Sequence, residues 1–356
     1  MTENINTEKK ENIETNRGGK YIVMDIVFYA GSLNYDQGAG NYQELKKITK
    51  WDGKQYTLVS RYALRYSLLK TADVLGFWKN ATGKELERAG EKNKTVIQPS
   101  LNVLLSGKIL TIPEFDLFGY LITSTTPQNS REAPVKISHA ISMTPYTYDS
   151  HFAGNLGFAK RMIEAGSAEK MDPNLFTIEE HQTYYIYTVV IDVNRIGKDV
   201  IYLIKKDNDK GKDDNKNKKD IEIIEKEGNK IIKLNDEEIK VDPDIEVSIE
   251  ELDKLYKINF SLKDENKKQE RIIQLIKSIL NLKRDIKGRQ EDLTPKLLVL
   301  GLYNNNPYQS FKDKILLTNE YEESYEEETV TTDNIVKINR RIVKSNKPVF
   351  EIFGTF

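Results

Sequence analysis

No cysteine occurs anywhere in the 356 residues, which removes disulfides, thiolate-bound zinc and thiol nucleophiles together. Histidine is nearly as scarce, at three residues. Nowhere do about eighteen apolar residues run together, the length a membrane-spanning helix needs. The opening stretch MTENINTEKKENIETNRGG also lacks the apolar core of a secretory signal. The expectation is therefore a cytoplasmic protein with no membrane partner. No Gly-rich phosphate loop of the GxxxxGK[ST] kind, no GxGxxG after a strand and no HExxH is found, so no cofactor is expected.

What is present is charge. Charged residues make up 31% of the chain and apolar ones only 38%, so part of the length is expected to be solvated insertion or tail. The net charge of −1 is a sum over unlike regions. Residues 267–319 hold eleven Lys/Arg against five Asp/Glu, or +6; residues 196–266 hold fifteen against twenty, or −5. A basic segment inside a neutral chain fits a local polyanion site, although charge also fluctuates along any Lys/Glu-rich sequence.

Residues 1–19 read as a disordered tail. YIVMDIVFYA (21–30) reads as a buried strand, followed by the Gly- and Asn-rich loop GSLNYDQGAG. SRYALRYSLLKTADVLGFW (60–78) is a helix with Ser60 at its N-cap. FDLFGYLIT (115–123) and TYYIYTVVIDV (183–193) read as strands, the second the clearest in the chain. KKDNDKGKDDNKNKKD is a low-complexity run whose alternating flanks suggest a long hairpin. KQERIIQLIKSILNLKRDI (268–286) carries an apolar stripe at helical spacing, and PKLLVLGLYN (295–304) is the strand after it. The order is βαββαβ, that of a ferredoxin-like or RRM-type α+β sheet with long insertions.

Arg61 and Arg65, four apart, share a helix face one turn from the N-terminus. With Ser60 and the free helical amides they make a phosphate site, or else they pair with surface carboxylates. Lys46 and Lys47 add charge nearby in sequence, and read equally as ordinary exposed lysines. A second basic group comprises Lys283, Arg284, Lys287 and Arg289 at the end of the second long helix, where the helix dipole alone explains one or two of them. Tyr62, Leu64 and Leu68 are assigned to the opposite side of the first helix. His139, His151 and Asp149, with Ser138 or Ser142, can be drawn as a triad, but no nucleophile elbow accompanies them. Asp36 is a turn residue or an acid in phosphodiester cleavage.

The stretches RYALRY after DGKQYTLVSR, then FDLFGYLIT…REAPVKISHAISMTPYTYDSHFAGNL, then LKRDIKGRQEDLTPKLLVLGLYN resemble the DevR-type backbone subunit of type I-B CRISPR Cascade, in the RAMP superfamily. The resemblance runs from about residue 20 to 305, outside the low-complexity run. It implies a modified RRM-like palm, a helical fingers insertion (about 79–180) and a β-hairpin thumb (about 196–266, containing the charged tract 205–220). It implies several copies along one crRNA, other Cascade subunits as partners, and target DNA reached through guide pairing. By the same resemblance Arg61 and Arg65 fall on a phosphate-contacting helix, while Asn34, Lys136 and His139 fall near the RNA groove. His139 reads alternatively as a satisfied core histidine. The expected subunit is non-catalytic; the alternative is a metal-dependent RNase of the type III backbone kind using Asp36.

Overall fold

The computed structural model describes residues 20–38, 40–90, 95–167, 169–170, 174–205, 221–226, 229–234, 237–304, 308–318, 323–332, 335–344 and 349–352. The tail 1–19 and the tract 206–220 lie outside the described residues. The architecture is α+β, rich in strands and with few helices.

Its centre is a sheet built from β1 (Tyr21–Ala30), β2 (Lys47–Thr49), β3 (Gln55–Val59), β4 (Val135–Ile137), β5 (Ala140–Ser142), β6 (Thr183–Asp192) and β7 (Leu297–Tyr303). The order is β7-β1-β6-β5-β3-β2, with β4 also beside β6. β1 and β6 pair antiparallel along their full length, from Tyr21↔Asp192 to Ala30↔Thr183. Both are almost uninterrupted apolar runs because both of their faces are covered. One face packs under α1 (Arg61–Val74) and α2 (Glu265–Leu280), where Leu64, Leu68, Leu275 and Ile279 meet Phe28 and Tyr187. On the other face Val27 and Ile186 pack against Phe311 and Ile315.

Between β4 and β5 the ladder slips by one. Ile137 faces Val189 and Ile141 faces Ile186, so three residues, 138–140, stand opposite two. This is a β-bulge, which bends a strand and re-aims a side chain. Thr188 N donates to Ser138 Oγ (2.9 Å), which holds the extra residue in place. The side chain re-aimed is His139.

A second apolar core joins Leu104, Leu105 and Ile109 to Ile201, Ile258 and Phe260. Those last residues lie in a three-stranded sheet of Lys198–Ile204, Leu255–Leu262 and Ile245–Glu251. Asp116, fully buried, stands between the two cores. Its carboxylate accepts from Arg131 (2.7 Å) and from Gly197 N (2.9 Å), and also pairs with Arg271 of α2. Arg131 in turn donates to Arg195 O (2.8 Å) and pairs with Asp199 (3.3 Å).

Three expectations need correction. FDLFGYLIT is not one strand: Pro113–Phe118 is helical and only Tyr120–Ile122 is extended, in a hairpin with Asn129–Arg131. Pro113 opens that helix and Gly119, at φ 73°, ends it, the usual placement of these two residues. The middle strand of the βαββαβ order is thus the bulged pair β4/β5. The second long helix stops at Leu280, and Lys283–Ile286 pairs with Arg289–Asp292 instead. Lys287 and Gly288 both take positive φ (49° and 78°), as a two-residue hairpin turn matching strand twist demands. Finally Tyr62 faces solvent, whereas Leu64 and Leu68 are buried.

Candidate nucleic-acid interface

β3 runs directly into α1, and the junction is held from three sides. Ser60 is extended (φ −64°, ψ 146°) and its Oγ accepts from Ala63 N, a standard N-cap. Asn34 Oδ1 accepts from Ser60 N at 2.9 Å, and Lys46 N donates to Asn34 O at 2.9 Å. Beyond the bulge, His139 Nδ1 accepts from Arg61 N at 3.0 Å. The imidazole therefore carries its proton on Nε2, free to donate outward. Partial desolvation, then Arg61 and Lys312, push its pKa below the ordinary histidine value.

A histidine with a depressed pKa contributes its stabilisation above the ordinary value of 6.5 and loses it as pH falls through the folded-state pKa. NMR titration of His139 should show the Nε2–H tautomer and a midpoint below 6.5. A midpoint above that value would mean that the contact to Arg61 N is not made.

Around this junction lies a cleft of about 300 Å³, lined by Arg61, Tyr62, Arg65, Phe118, Val135 and Lys136. Arg61 is exposed, and its guanidinium donates to the Tyr62 hydroxyl at 2.9 Å. No described carboxylate lies within ion-pairing distance of it. Arg65 sits over the Phe118 ring and pairs loosely with Glu114 at 3.6 Å. Lys136 pairs with Glu132 (2.6 Å), both side chains more than half exposed, so that bond is easily exchanged for another anion. Lys312, from the segment after β7, donates toward His139 O (3.3 Å) and Ser138 Oγ (3.4 Å). Cations, a ring N–H and an exposed tyrosine thus lie at or beside this junction, a set that suits phosphates and bases together.

Of the residues expected at an RNA surface, Arg61, Arg65 and Lys136 line this cleft, and His139 adjoins it through its bond to Arg61 N. Ser60 and Asn34 build its frame. The others are engaged elsewhere. Lys46 pairs with Asp36 (3.3 Å), and Lys47 with the buried carboxylate of Glu179 (2.6 Å). Lys283 pairs with Asp292 (2.9 Å) across its hairpin. Arg284 donates to Leu33 O (2.8 Å), Ala63 O (3.2 Å) and Ser67 Oγ (3.0 Å), with burial lowering its pKa. Arg289 reaches Ser32 O (2.8 Å) and Glu180 (3.3 Å). These last two arginines clamp the loop after β1 behind the cleft rather than lining it. Lys312 lay in the polar remainder of the sequence, where no spacing marked it.

The triad does not assemble. Ser138 Oγ donates to His139 O and Ser142 Oγ to Thr144 O (2.8 Å). His151 and Asp149 are exposed, with His151 Nδ1 3.6 Å from Glu180. His139 is exposed as well, so it is not a core histidine. The third histidine, His181, is half-buried against the Thr57 hydroxyl (2.7 Å). Asp36 is exposed; its carboxylate accepts from Gln37 N (2.9 Å) and pairs with Lys46, which together lower its pKa. Among the described residues no three His, Asp or Glu stand close enough to hold a metal ion, and no helix is long and apolar enough to cross a membrane.

Residues 22–326 match the family described as "CRISPR-associated negative auto-regulator DevR/Csa2". No curated protein matches the chain in sequence. Among solved structures, a chain of a "CRISPR RNA-guided surveillance complex, pre-nicking" is similar at 11% identity and a TM-score of 0.32, over 49% of this chain and 65% of that one. A chain of a "CRISPR RNA-guided surveillance complex" follows at 12% and 0.30, over 49% and 51%. One of a "Type IV-B CRISPR Complex" stands at 13% and 0.28, over 49% and 73%. The chain thus spans less than two thirds of the first two.

Proposed function

The chain belongs to the CRISPR-associated DevR/Csa2 family, and from that premise we propose that it is a crRNA-binding backbone subunit of a type I-B Cascade surveillance complex. In this reading several copies line up along one guide RNA in the cytoplasm, beside other Cascade subunits, and present the guide for pairing with target DNA. The subunit holds RNA and does not cut it. The palm is the RRM-like set β1, α1, β4/β5, β6, α2 and β7; the antiparallel order β7-β1-β6-β5 supports that assignment. The fingers fall within about 79–180 and the thumb within about 196–266.

The observation that carries the proposal is the cleft at the start of α1 lined by Arg61, Arg65 and Lys136, with His139 bonded to Arg61 N and Lys312 bonded to His139 O beside it. Cations without base-edge partners fit backbone recognition, which one subunit type needs in order to bind every guide sequence. Unrelated single-stranded RNAs of equal length should bind with affinities within about threefold of each other, all falling linearly on a log–log plot against salt. RNA co-purified with the protein from its native host should be of uniform length and remain intact with magnesium or manganese. Binding of one sequence only, or none, would overturn the reading; cleavage abolished by Asp36→Ala would replace it with the nuclease.

A further inference from the structure

The hairpin joining β2 to β3 ends in Lys50-Trp51-Asp52-Gly53-Lys54, and the Trp51 side chain at its tip is 97% exposed. The turn beneath it is tightly made. Gly53, at φ 74°, donates its N–H to Lys50 O at 3.0 Å, and Lys50 N donates to Lys54 O at 3.1 Å. Asp52 accepts from Lys54 N (3.0 Å) and from the Tyr56 hydroxyl (2.7 Å), so its charge is turned inward. Lys50 lies 3.9 Å above the Tyr56 ring. An indole displayed almost fully to water gains nothing for folding, yet its support is rigid. Such a side chain is a contact waiting for a partner.

The tip is continuous with the cleft. β3 alone separates them, five residues or about 17 Å of extended chain. Lys312, which touches His139 at the cleft, also feels the charge of Lys50 at the hairpin. The neighbours of Trp51 at the tip are lysines and a turn, not the apolar surround of a protein-binding hot spot. Lysine beside an exposed ring is the pattern of a single-strand platform, where one side chain neutralises a phosphate and the other stacks on the base.

We propose that Trp51 is a base-stacking platform for the RNA strand held at the Arg61 cleft, so that the strand runs from that cleft past Lys312 and Lys50 to the hairpin tip. This rests on the RNA-binding reading above, and it adds a contact to bases that does not depend on sequence, since every base has a π-face.

The chain has two tryptophans, and they are spectrally separable. Trp78 is 4% exposed and donates to Gln274 at 2.9 Å, so it emits to the blue of the exposed Trp51. Polyuridylate added to the full-length protein should quench the red edge of the emission and leave the blue component unchanged. Trp51→Ala should weaken polyuridylate binding about tenfold without altering the slope of affinity against salt, because no charge is removed. Trp51→Phe should retain most of the affinity, and neither variant should change the melting temperature. If the wild type binds polyuridylate with its full salt slope while Trp51 emission and Trp51→Ala affinity are unaffected, the stacking inference is wrong and the phosphate cleft stands. If Trp51→Ala instead impairs only self-association on RNA, the indole is a protein contact and the inference is likewise overturned. If the wild type binds no RNA at all, the functional reading itself fails.

Discussion

Replacing Arg61 and Arg65 together with alanine should weaken single-stranded RNA binding about a hundredfold at low salt, alike for all sequences. Each guanidinium offers a charge-assisted bond of roughly 1.5 kcal/mol or more to a phosphate. Each phosphate contact also releases counterions, so losing two should flatten the log–log salt slope by about 1.4. Arg61 is exposed and Arg65 has only a loose carboxylate partner; the variant should therefore melt close to the wild type. A loss confined to one RNA sequence, or an unchanged salt slope, would show that these arginines do not meet the backbone.

Asp116→Ala should destabilise the fold by about 3–5 kcal/mol, the usual cost of removing one partner from a buried ionic set. In a chain of 356 residues that is a fall in melting temperature of about 4–7 °C. The reason is geometric. Asp116 is fully buried, and its two oxygens face Arg131, Arg271 and Gly197 N. Without the carboxylate, two guanidinium groups remain in the interior with no counter-charge between them. Arg131 would keep Asp199, which limits the loss on its side. Thermal unfolding monitored by circular dichroism tests this; a shift of less than about 2 °C would mean that the set contributes no net stability.

The central elements were legible because each obeys one strong rule. β1 and β6 are ten-residue strands dominated by apolar, β-branched and aromatic residues, and α1 and α2 carry side-chain caps and buried apolar faces. The helix Pro113–Phe118 was hidden by its own composition, since a short apolar run fits a buried strand or a buried helix equally. Proline at its start and glycine past its end were the usable signal. The overrun of α2 into 283–286 has a similar cause: the basic residues there suit a helix end, while the Lys287-Gly288 turn that makes a hairpin of them spans just two residues.

The candidate site divides along another line. Arg61 and Arg65 were placed by helix geometry, which is local. Whether a lysine is free or already paired is not local. Lys47 meets Glu179 and Arg284 meets Leu33 across more than a hundred residues of sequence. Lys312 and the bulge at 138–140 arise from pairings of the same long range.

The pairing of Lys198–Ile204 with Leu255–Leu262, from Lys198↔Ser261 to Ile204↔Leu255, bears on how this chain tolerates change in length. One residue added inside Lys198–Ile204 would shift its register and turn Ile201 and Leu203 out of the core they fill.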